Sequence, residues 1–246
     1  MIFFKKKNKT VDVSVFATLK TDLHSHLIPG IDDGSPTLET SLQLVSGLVS
    51  LGYKKLITTP HILWDMYQNT HEIIRQKSED LQSAVRNAGI NVEIKAAAEY
   101  FLDEHFTQLL EKKEPLLTLS DKMVLVEFSM AHPVMGLKET LFEMTMQGYQ
   151  PVIAHPERYI YMERALSFYD ELKEMNCLFQ LNLLSLGNYY GSSANDLANY
   201  LIKKDYYDLV GTDLHHSRHL EALKDPRLTT GLKKLLDSGK IINDQL

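Results

Sequence analysis

Short runs of apolar and β-branched residues alternate along the chain with longer segments in which apolar side chains recur at helical spacing. Strands that alternate with helices in this way are typical of a parallel sheet, so the pattern predicts an α/β protein. Seven of the short runs are predicted to be strands: Thr21–His26, Lys55–His61, Val92–Tyr100, Met123–Ser129, Pro151–Pro156, Leu178–Leu184 and Leu209–His215.

The segments between these strands carry helix signals. The first begins at Ser35-Pro36, an expected N-cap followed by proline at the first helical position, and its apolar periodicity runs to Gly52. A second pattern begins at Ile73 and ends ahead of Gly89. Four further helices are predicted: Leu137–Gln147, Ala165–Met175, Asp196–Lys204 and Leu228–Leu236.

The positions of polar residues separate two architectures that share this order of elements. An open doubly wound sheet gathers its functional residues at one switch point between strands. Here nearly every predicted strand ends in His, Glu or Asp, which favours a barrel whose loops converge on one mouth. No internal repeat or linker divides the 246 residues, so one domain is expected.

Composition narrows the classes of partner. The 26 Lys and Arg against 32 Asp and Glu give a formal net charge of -6, which argues against a nucleic-acid partner. Cys177 is the one cysteine, which excludes an intramolecular disulfide and any zinc site built from several thiolates. The chain begins without the pattern of a signal peptide and has no run of about 20 apolar residues, so we expect a cytoplasmic protein without a membrane span.

Ten histidines are the unusual feature of the composition. His24 and His26 are two residues apart on a predicted strand, so both imidazoles face the same side. Alone, this pair is a weak signal for metal, and a single His or Glu at a strand end is commonly a structural residue. Glu127 is harder to explain in that way, because burying a carboxylate in an apolar strand costs several kcal/mol unless a cation neutralises it.

Taken together, the polar residues at the strand ends and in the loop after the first strand form a candidate metal-binding set. Such a mixture of imidazoles and carboxylates suits Zn²⁺, Mn²⁺ or Fe²⁺. The set is too large for one ion and suits three ions that share a bridging carboxylate. Its members are His24, His26, Asp33, His61, Glu99, Glu127, His155, Asp213 and His215.

The same residues fall within motifs that resemble those of the PHP (polymerase and histidinol phosphatase) superfamily, and specifically the CpsB/CapC-type bacterial protein-tyrosine phosphatases. The resemblance covers about residues 21–236, and it implies a distorted TIM-like (β/α)7 barrel with a metal site, often Mn²⁺-dependent, at the carboxyl ends of the strands. Residues 21–246 would then form one catalytic domain after an N-terminal extension over residues 1–20. The motifs are His24-Ser25-His26, Asp32-Asp33-Gly34, Thr59-Pro60-His61, Glu99, Glu127-Phe128-Ser129, Ile153–Tyr159 and Asp213-Leu214-His215.

The resemblance also implies how the ligands are shared among three divalent ions, with Mn²⁺ favoured and Fe²⁺, Zn²⁺ or Mg²⁺ as alternatives. Asp33 rather than Asp32 aligns with the family's ligand. The first ion would be held by His24, His26, Glu99 and Asp213; the second by Glu99, Glu127 and His155; the third by Asp33, His61 and His215.

The implied reaction is hydrolysis of a phosphate monoester by a metal-bridging hydroxide in an in-line attack. Arg158 and Arg218 follow motif histidines, as arginines do in the family, and are candidates to bind the phosphoryl group. Cys177 lacks an arginine six positions further on, so it is not the nucleophile of a cysteine-based phosphatase. Aromatic residues are expected to line the mouth: Trp64, Tyr67, Tyr100, Phe101, Tyr189 and Tyr190.

By resemblance, the expected substrate is a phosphotyrosine protein, namely the tail of a bacterial tyrosine kinase that regulates capsule or exopolysaccharide synthesis. Three alternatives stay open at this point. The first is a phosphatase of small molecules such as histidinol phosphate. The second is a nuclease or polymerase-associated module, which the acidic composition disfavours. The third is a metal-bearing regulatory module without turnover. Oligomeric state is not predicted.

Overall fold

The structure, a computed structural model, describes residues 13–246. Over that range it contains the predicted α/β arrangement of parallel strands and surrounding helices. No helix within residues 13–246 combines the length and the apolar character needed to cross a membrane. The strands are β1 (Thr21–Asp22), β2 (Lys55–Thr58), β3 (His61–Ile62), β4 (Glu93–Ala96), β5 (Glu99–Phe101), β6 (Met123–Glu127), β7 (Gln150–Ala154), β8 (Leu178–Asn182) and β9 (Leu209–Gly211).

Two of the predicted strands are interrupted. The strand predicted over Lys55–His61 divides into β2 and β3 at Thr59-Pro60, where proline has no N–H to donate to a strand ladder. The strand predicted over Val92–Tyr100 divides into β4 and β5 at Ala97-Ala98. Each break moves the chain from one sheet into another, since β2 and β4 pair in a three-stranded sheet whereas β3 and β5 pair in a six-stranded sheet.

The two sheets connect around a ring of seven parallel segments. One sheet has the order β1-β2-β4 and the other the order β3-β5-β6-β7-β8-β9. Beyond β1 and β9, Ser25 forms a parallel bridge with Leu214. The amide of Asp213 donates to the carbonyl of His24 at 2.7 Å, and the amide of His26 donates to the carbonyl of Leu214 at 2.9 Å. The first and last segments are therefore neighbours, as a barrel requires.

Helices surround the strands, and most lie close to their predicted positions. Three short helices had no counterpart in the sequence pattern, namely those over Val13–Leu19, Glu104–Glu111 and Ser217–Ala222, with 7, 8 and 6 residues. The helices are α1 (Val13–Leu19), α2 (Leu38–Leu51), α3 (His71–Asn87), α4 (Glu104–Glu111), α5 (Leu137–Met146), α6 (Ser167–Glu174), α7 (Ser192–Lys203), α8 (Ser217–Ala222) and α9 (Pro226–Asp237).

The start of α2 differs from the prediction that Ser35 is its N-cap. Thr37 is the cap, and its side chain accepts a hydrogen bond from the amide of Thr40. Ser35 belongs instead to the loop before the helix, because its amide donates to the carbonyl of His26 and its carbonyl accepts from Gly30. The backbone of Ser35 is thus committed to the loop that also carries Asp33.

Helix α1 lies within residues 1–20, the range that the sequence assigns to an N-terminal extension; residues 1–12 lie outside the described range. Phe16 and Leu19 are buried and pack with the main hydrophobic core, and α1 contacts both α2 and α9. Gly52, at the end of α2, has a φ of 108° and approaches α1 so closely that a Cβ there would lie 2.7 Å from the Cβ of Ala17. The segment before the first strand therefore contributes to the folded core.

Candidate metal centre

The nine residues of the predicted metal-binding set converge at one end of the ring of strands. They do so because parallel strands place their carboxyl ends at the same edge, and the side chains follow or flank those ends. The residues and their locations are His24 and His26 after β1, Asp33 in the following loop, His61 at the start of β3, Glu99 at the start of β5, Glu127 at the end of β6, His155 after β7, and Asp213 and His215 after β9.

Glu99 lies at the centre of this cluster and is fully buried. Its Oε2 lies 3.1 Å from Nε2 of His24, 3.4 Å from Nε2 of His26 and 3.3 Å from Nδ1 of His61. Its Oε1 lies 3.2 Å from Nε2 of His155. The two oxygens of one carboxylate thus face different imidazoles, which is the arrangement of a bridging ligand.

Asp213 completes a first group with His24, His26 and Glu99. Its Oδ1 lies 3.3 Å from Nε2 of His24 and 3.5 Å from Nε2 of His26. His24, His26, Glu99 and Asp213 each offer a ligand atom within 4.8 Å of the others, and all four residues are buried. This group could hold a metal ion.

Two further groups of residues also offer ligand atoms that lie within 4.8 Å of one another. Asp33 Oδ1 lies 3.5 Å from Nε2 of His61 and 3.4 Å from Nε2 of His215, and these three residues group with His26. His61, Glu99 and Glu127 form the other group. His155, which stands outside these three groups, lies 3.2 Å from Glu99 and 3.8 Å from Glu127.

Three of the imidazoles donate a hydrogen bond on the side that faces away from the cluster, as metal-bound histidines do. Nδ1 of His26 donates to Asp32 at 2.8 Å, and Nδ1 of His215 donates to the carbonyl of Asp213 at 2.9 Å. Nδ1 of His24 donates to Gln180 at 2.8 Å. With the proton on Nδ1, each Nε2 keeps a lone pair that faces the cluster, as metal-bound histidines require.

The surroundings of Nδ1 of His61 also indicate a cation. Its Nδ1 is buried and makes no hydrogen bond, although it lies 3.3 Å from Glu99 and 3.2 Å from Glu127. A buried polar atom without a hydrogen-bond partner is uncommon, and a cation held between the imidazole and these two carboxylates would account for it. The residues present therefore fit divalent metal.

The electrostatics of the cluster favour positive charge. Burial lowers the pKa of His61, but Glu99 and Glu127 outweigh this effect and raise it to about 9. Burial raises the pKa of Glu99, yet His24 and His61 hold it well below its usual range. His215, whose Nε2 lies 3.4 Å from Asp33 Oδ1, lowers the pKa of Asp33 to about 2. These pKa shifts show that the carboxylates of the cluster stabilise positive charge next to them. A divalent ion would supply more positive charge there than protonated imidazoles do.

Two residues of the cluster adopt backbone conformations that are uncommon outside glycine. His155 has a φ of 34° and Asp213 a φ of 50°. Left-handed conformations of non-glycine residues cost about 1–3 kcal/mol and concentrate at functional sites. Both side chains are directed into the cluster by these turns at the ends of β7 and β9.

Two residues that support the cluster, Gln180 and Asn182, were missed in the sequence, and Asp32, which the sequence set aside as a ligand, has an orienting role that was not predicted. Asp32 and Gln180 orient His26 and His24, and Asn182 donates to Asp213 Oδ2 at 2.9 Å. Gln180 and Asn182 are two residues apart in β8 and fully buried. Polar residues at alternate positions of an otherwise apolar strand were the signal that could have identified them.

The two candidate arginines occupy different environments. Arg158 Nη1 donates to Asp213 Oδ2 at 2.7 Å, and its Cζ lies 4.3 Å from the centre of the Tyr190 ring. Arg218 is exposed on α8, and within residues 13–246 its side chain makes no hydrogen bond or ion pair. Arg158 is thus in contact with the cluster, whereas the role predicted for Arg218 stays a prediction.

The predicted aromatic lining is found only in part. Tyr67 lies parallel to His61, with ring centres 5.8 Å apart, and Tyr190 lies under Arg158. Trp64 stacks on His105 at 3.7 Å. Tyr100 is fully buried, and its hydroxyl is bonded to His71 and to the amide of Leu117, so its predicted place at the mouth was wrong.

The family model for capsular polysaccharide synthesis, CpsB/CapC, matches residues 20–238. The chain belongs to this family. Tyrosine-protein phosphatase YwqE of Bacillus subtilis (strain 168) is 27% identical over 196 residues, which cover 79% of this chain and 77% of YwqE. Tyrosine-protein phosphatase CpsB of Streptococcus pneumoniae is 29% identical over 201 residues, which cover 79% of this chain and 82% of CpsB.

Solved structures extend the comparison to the fold of this CpsB/CapC family member. A chain from the crystal structures of YwqE from Bacillus subtilis and CpsB from Streptococcus pneumoniae, which are described as metal-dependent tyrosine phosphatases, matches with a TM-score of 0.78 and 25% identity over 89% of this chain and 86% of that chain. Histidinol phosphate phosphatase of Lactococcus lactis matches with a TM-score of 0.53 and 14% identity over 90% of this chain and 93% of that chain, which shows a shared fold alone.

Proposed function

We propose that this CpsB/CapC family member is a metal-dependent protein-tyrosine phosphatase. The observation that carries the proposal is the position of Glu99, buried among four imidazoles with each of its oxygens facing different ones. The tyrosine phosphatases YwqE and CpsB, which are similar over most of their length, support the choice of reaction and substrate class. The matching solved structures of YwqE and CpsB, described as metal-dependent, support a metal requirement for the reaction.

We propose three divalent ions, with Mn²⁺ as the native metal. The three overlapping groups of candidate ligands, together with the contacts of His155, support this number. Glu99 is proposed to bridge two of the ions, because its two oxygens face separate imidazoles. Following the family resemblance, the ions would be held by His24, His26, Glu99 and Asp213; by Glu99, Glu127 and His155, whose imidazole lies 3.2 Å from Glu99 and 3.8 Å from Glu127; and by Asp33, His61 and His215.

When bound, the ions supply an activated water molecule and positive charge that neutralises the phosphoryl oxygens. The side chains of the protein orient the substrate. Arg158 binds the phosphoryl group through N–H donors that Asp213 leaves free, and its planar guanidinium suits phosphate oxygens. Tyr67, which lies beside His61, and Tyr190, which lies beside Arg158, would contact the phenyl ring of the substrate.

We further propose that the physiological substrate is the phosphorylated tail of a tyrosine kinase that regulates capsule or exopolysaccharide synthesis. The family description, capsular polysaccharide synthesis, supports this proposal. Residues 21–246 are proposed as the catalytic domain, onto which α1 packs. The cytoplasmic location and the phosphate-binding role of Arg218 stay predictions.

The deciding experiment compares substrates on metal-stripped protein. We expect Mn²⁺ to restore hydrolysis of a phosphotyrosine peptide, with less restoration by Zn²⁺, Fe²⁺ or Mg²⁺, and little hydrolysis of histidinol phosphate. The His24→Ala variant should lose activity, whereas the matched control His132→Ala, at an exposed loop position, should retain it. Hydrolysis of histidinol phosphate alone would reassign the substrate, and metal binding without any hydrolysis would favour a regulatory module.

A further inference from the structure

Asn182 ends β8 within contact distance of the candidate metal centre, yet it belongs to none of the groups of candidate metal ligands. Its side chain is fully buried, and the orientation of its amide is determined by its neighbours. Oδ1 accepts a hydrogen bond from the amide of Leu184 at 2.9 Å, so Nδ2 must be the atom on the other side. Nδ2 donates to Oδ2 of Asp213 at 2.9 Å and to the hydroxyl of Tyr190 at 3.1 Å.

These contacts divide the carboxylate of Asp213 into two halves. Oδ2 accepts from Asn182 and, at 2.7 Å, from Nη1 of Arg158. Oδ1 faces His24 at 3.3 Å and His215 at 3.4 Å. The two donors to one oxygen fix the plane of the carboxylate. The other oxygen is therefore kept toward the imidazoles.

Asn182 is connected to Arg158 through Tyr190 as well as through Asp213. The hydroxyl of Tyr190 accepts from Asn182, and the face of its ring lies 4.3 Å from Cζ of Arg158. The guanidinium is thus held at one edge by Asp213 and across its face by Tyr190. Among the described residues, Arg158 makes no other side-chain hydrogen bond, so its remaining N–H groups are available to an anion.

We infer that Asn182 is a positioning residue that aligns the Asp213 carboxylate with the Arg158 guanidinium. This inference rests on the proposed function, because it assigns the two aligned groups to metal and to phosphate. Only an amide meets the requirements at this position, since one end must accept from Leu184 and the other must donate twice. An aspartate of the same shape would place an oxygen against Oδ2 of Asp213.

The inference is tested first by metal binding, which does not require turnover. Mn²⁺ affinity of the metal-stripped protein, measured by titration calorimetry, should fall about 10–100-fold in Asn182→Ala and further in Asn182→Asp. Asn195→Ala is the matched control, because Asn195 donates to the backbone carbonyls of Ser185 and Leu186 and lies outside this network. A Mn²⁺ affinity in Asn182→Ala equal to that of the control would overturn the inference.

Inorganic phosphate is the second probe, used on the Mn²⁺-loaded protein. Phosphate affinity by calorimetry should fall several-fold in Asn182→Ala, and KM for a phosphotyrosine peptide should rise more than kcat falls. If Asn182→Ala fails to fold by circular dichroism, Asn182→Asp carries the test, because it keeps the shape of the side chain and the acceptor for Leu184 but loses the donor to Asp213: it should bind phosphate several-fold more weakly. Wild-type phosphate affinity in Asn182→Asp would overturn the inference.

The two proposals fail in distinguishable ways. If the wild-type protein binds Mn²⁺ and phosphate but does not hydrolyse phosphotyrosine, the proposed function is wrong. The comparison of Asn182→Ala with Asn195→Ala still gives its answer in that case, because both affinities are measured without turnover.

Discussion

The carboxylate of Asp32 accepts a hydrogen bond from Nδ1 of His26 at 2.8 Å, and the same oxygen accepts from the backbone amide of His61 at 3.2 Å. One buried side chain thus connects two segments that carry candidate metal ligands. Because an ionised carboxylate only accepts hydrogen bonds, His26 must carry its proton on Nδ1 and present Nε2 to Glu99. Asp32 is therefore adjacent to the metal-binding set without belonging to it.

Replacing Asp32 should weaken metal binding. Without its acceptor, His26 is free to change tautomer and orientation, so Asp32→Ala should lower Mn²⁺ affinity by about 10–100-fold in calorimetric titrations. Asp65→Ala serves as the control, since Asp65 is exposed in the loop after β3. Equal affinities of the two variants would show that Asp32 does not orient a ligand.

Arg158 and Arg218 should differ in their importance for catalysis. Arg158→Lys keeps a positive charge but removes the planar set of donors, so kcat/KM for a phosphotyrosine peptide should fall roughly 100-fold. Arg218→Lys should cause a smaller fall, because Arg218 is exposed and, in the described part of the chain, bonded to no other side chain. Steady-state kinetics of the two variants at saturating Mn²⁺ make the comparison, and a larger effect at Arg218 would reverse this ranking.

Cys177 should be inert in the folded protein. Burial raises the pKa of its thiol to about 12, so the thiolate that reacts with iodoacetamide is nearly absent at pH 8 and gains population only as the pH approaches that value. Mass spectrometry should show no alkylation of the native protein at pH 8 and full alkylation in denaturant. Cys177→Ala should retain phosphatase activity, and loss of activity with an intact fold would contradict a metal-based mechanism.

Helix α1 should contribute measurably to stability. Phe16 is fully buried in the main core, so Phe16→Ala should lower the free energy of unfolding by about 3–5 kcal/mol in a urea titration. Thr18→Ala tests the specificity of this effect, because Thr18 is exposed on the same helix and its replacement should change stability by no more than about 0.5 kcal/mol. A comparable, small effect of both changes would show that α1 packs only loosely.

Several features of this protein could be predicted from the sequence because they depend on local pattern. Alternation of apolar runs with helical periods predicted the parallel α/β architecture. Polar residues at the ends of those runs predicted a shared location, since parallel strands bring their carboxyl ends to one edge. The burial of Glu127 at the end of β6 follows from the same reasoning. Membership in the CpsB/CapC family agrees with the resemblance seen in those motifs.

Other features were decided only by the tertiary structure, because they depend on contacts between distant parts of the chain. Gln180 orients His24 from 156 residues away, and Asn182 binds Asp213 from a neighbouring strand. The interruption at Thr59-Pro60 depends on which sheet each half joins, and Tyr100 is buried because its hydroxyl finds partners in the core. Periodicity reports which face of an element is apolar, but the hydrogen-bond partner of a buried polar group is set by whichever element packs against it.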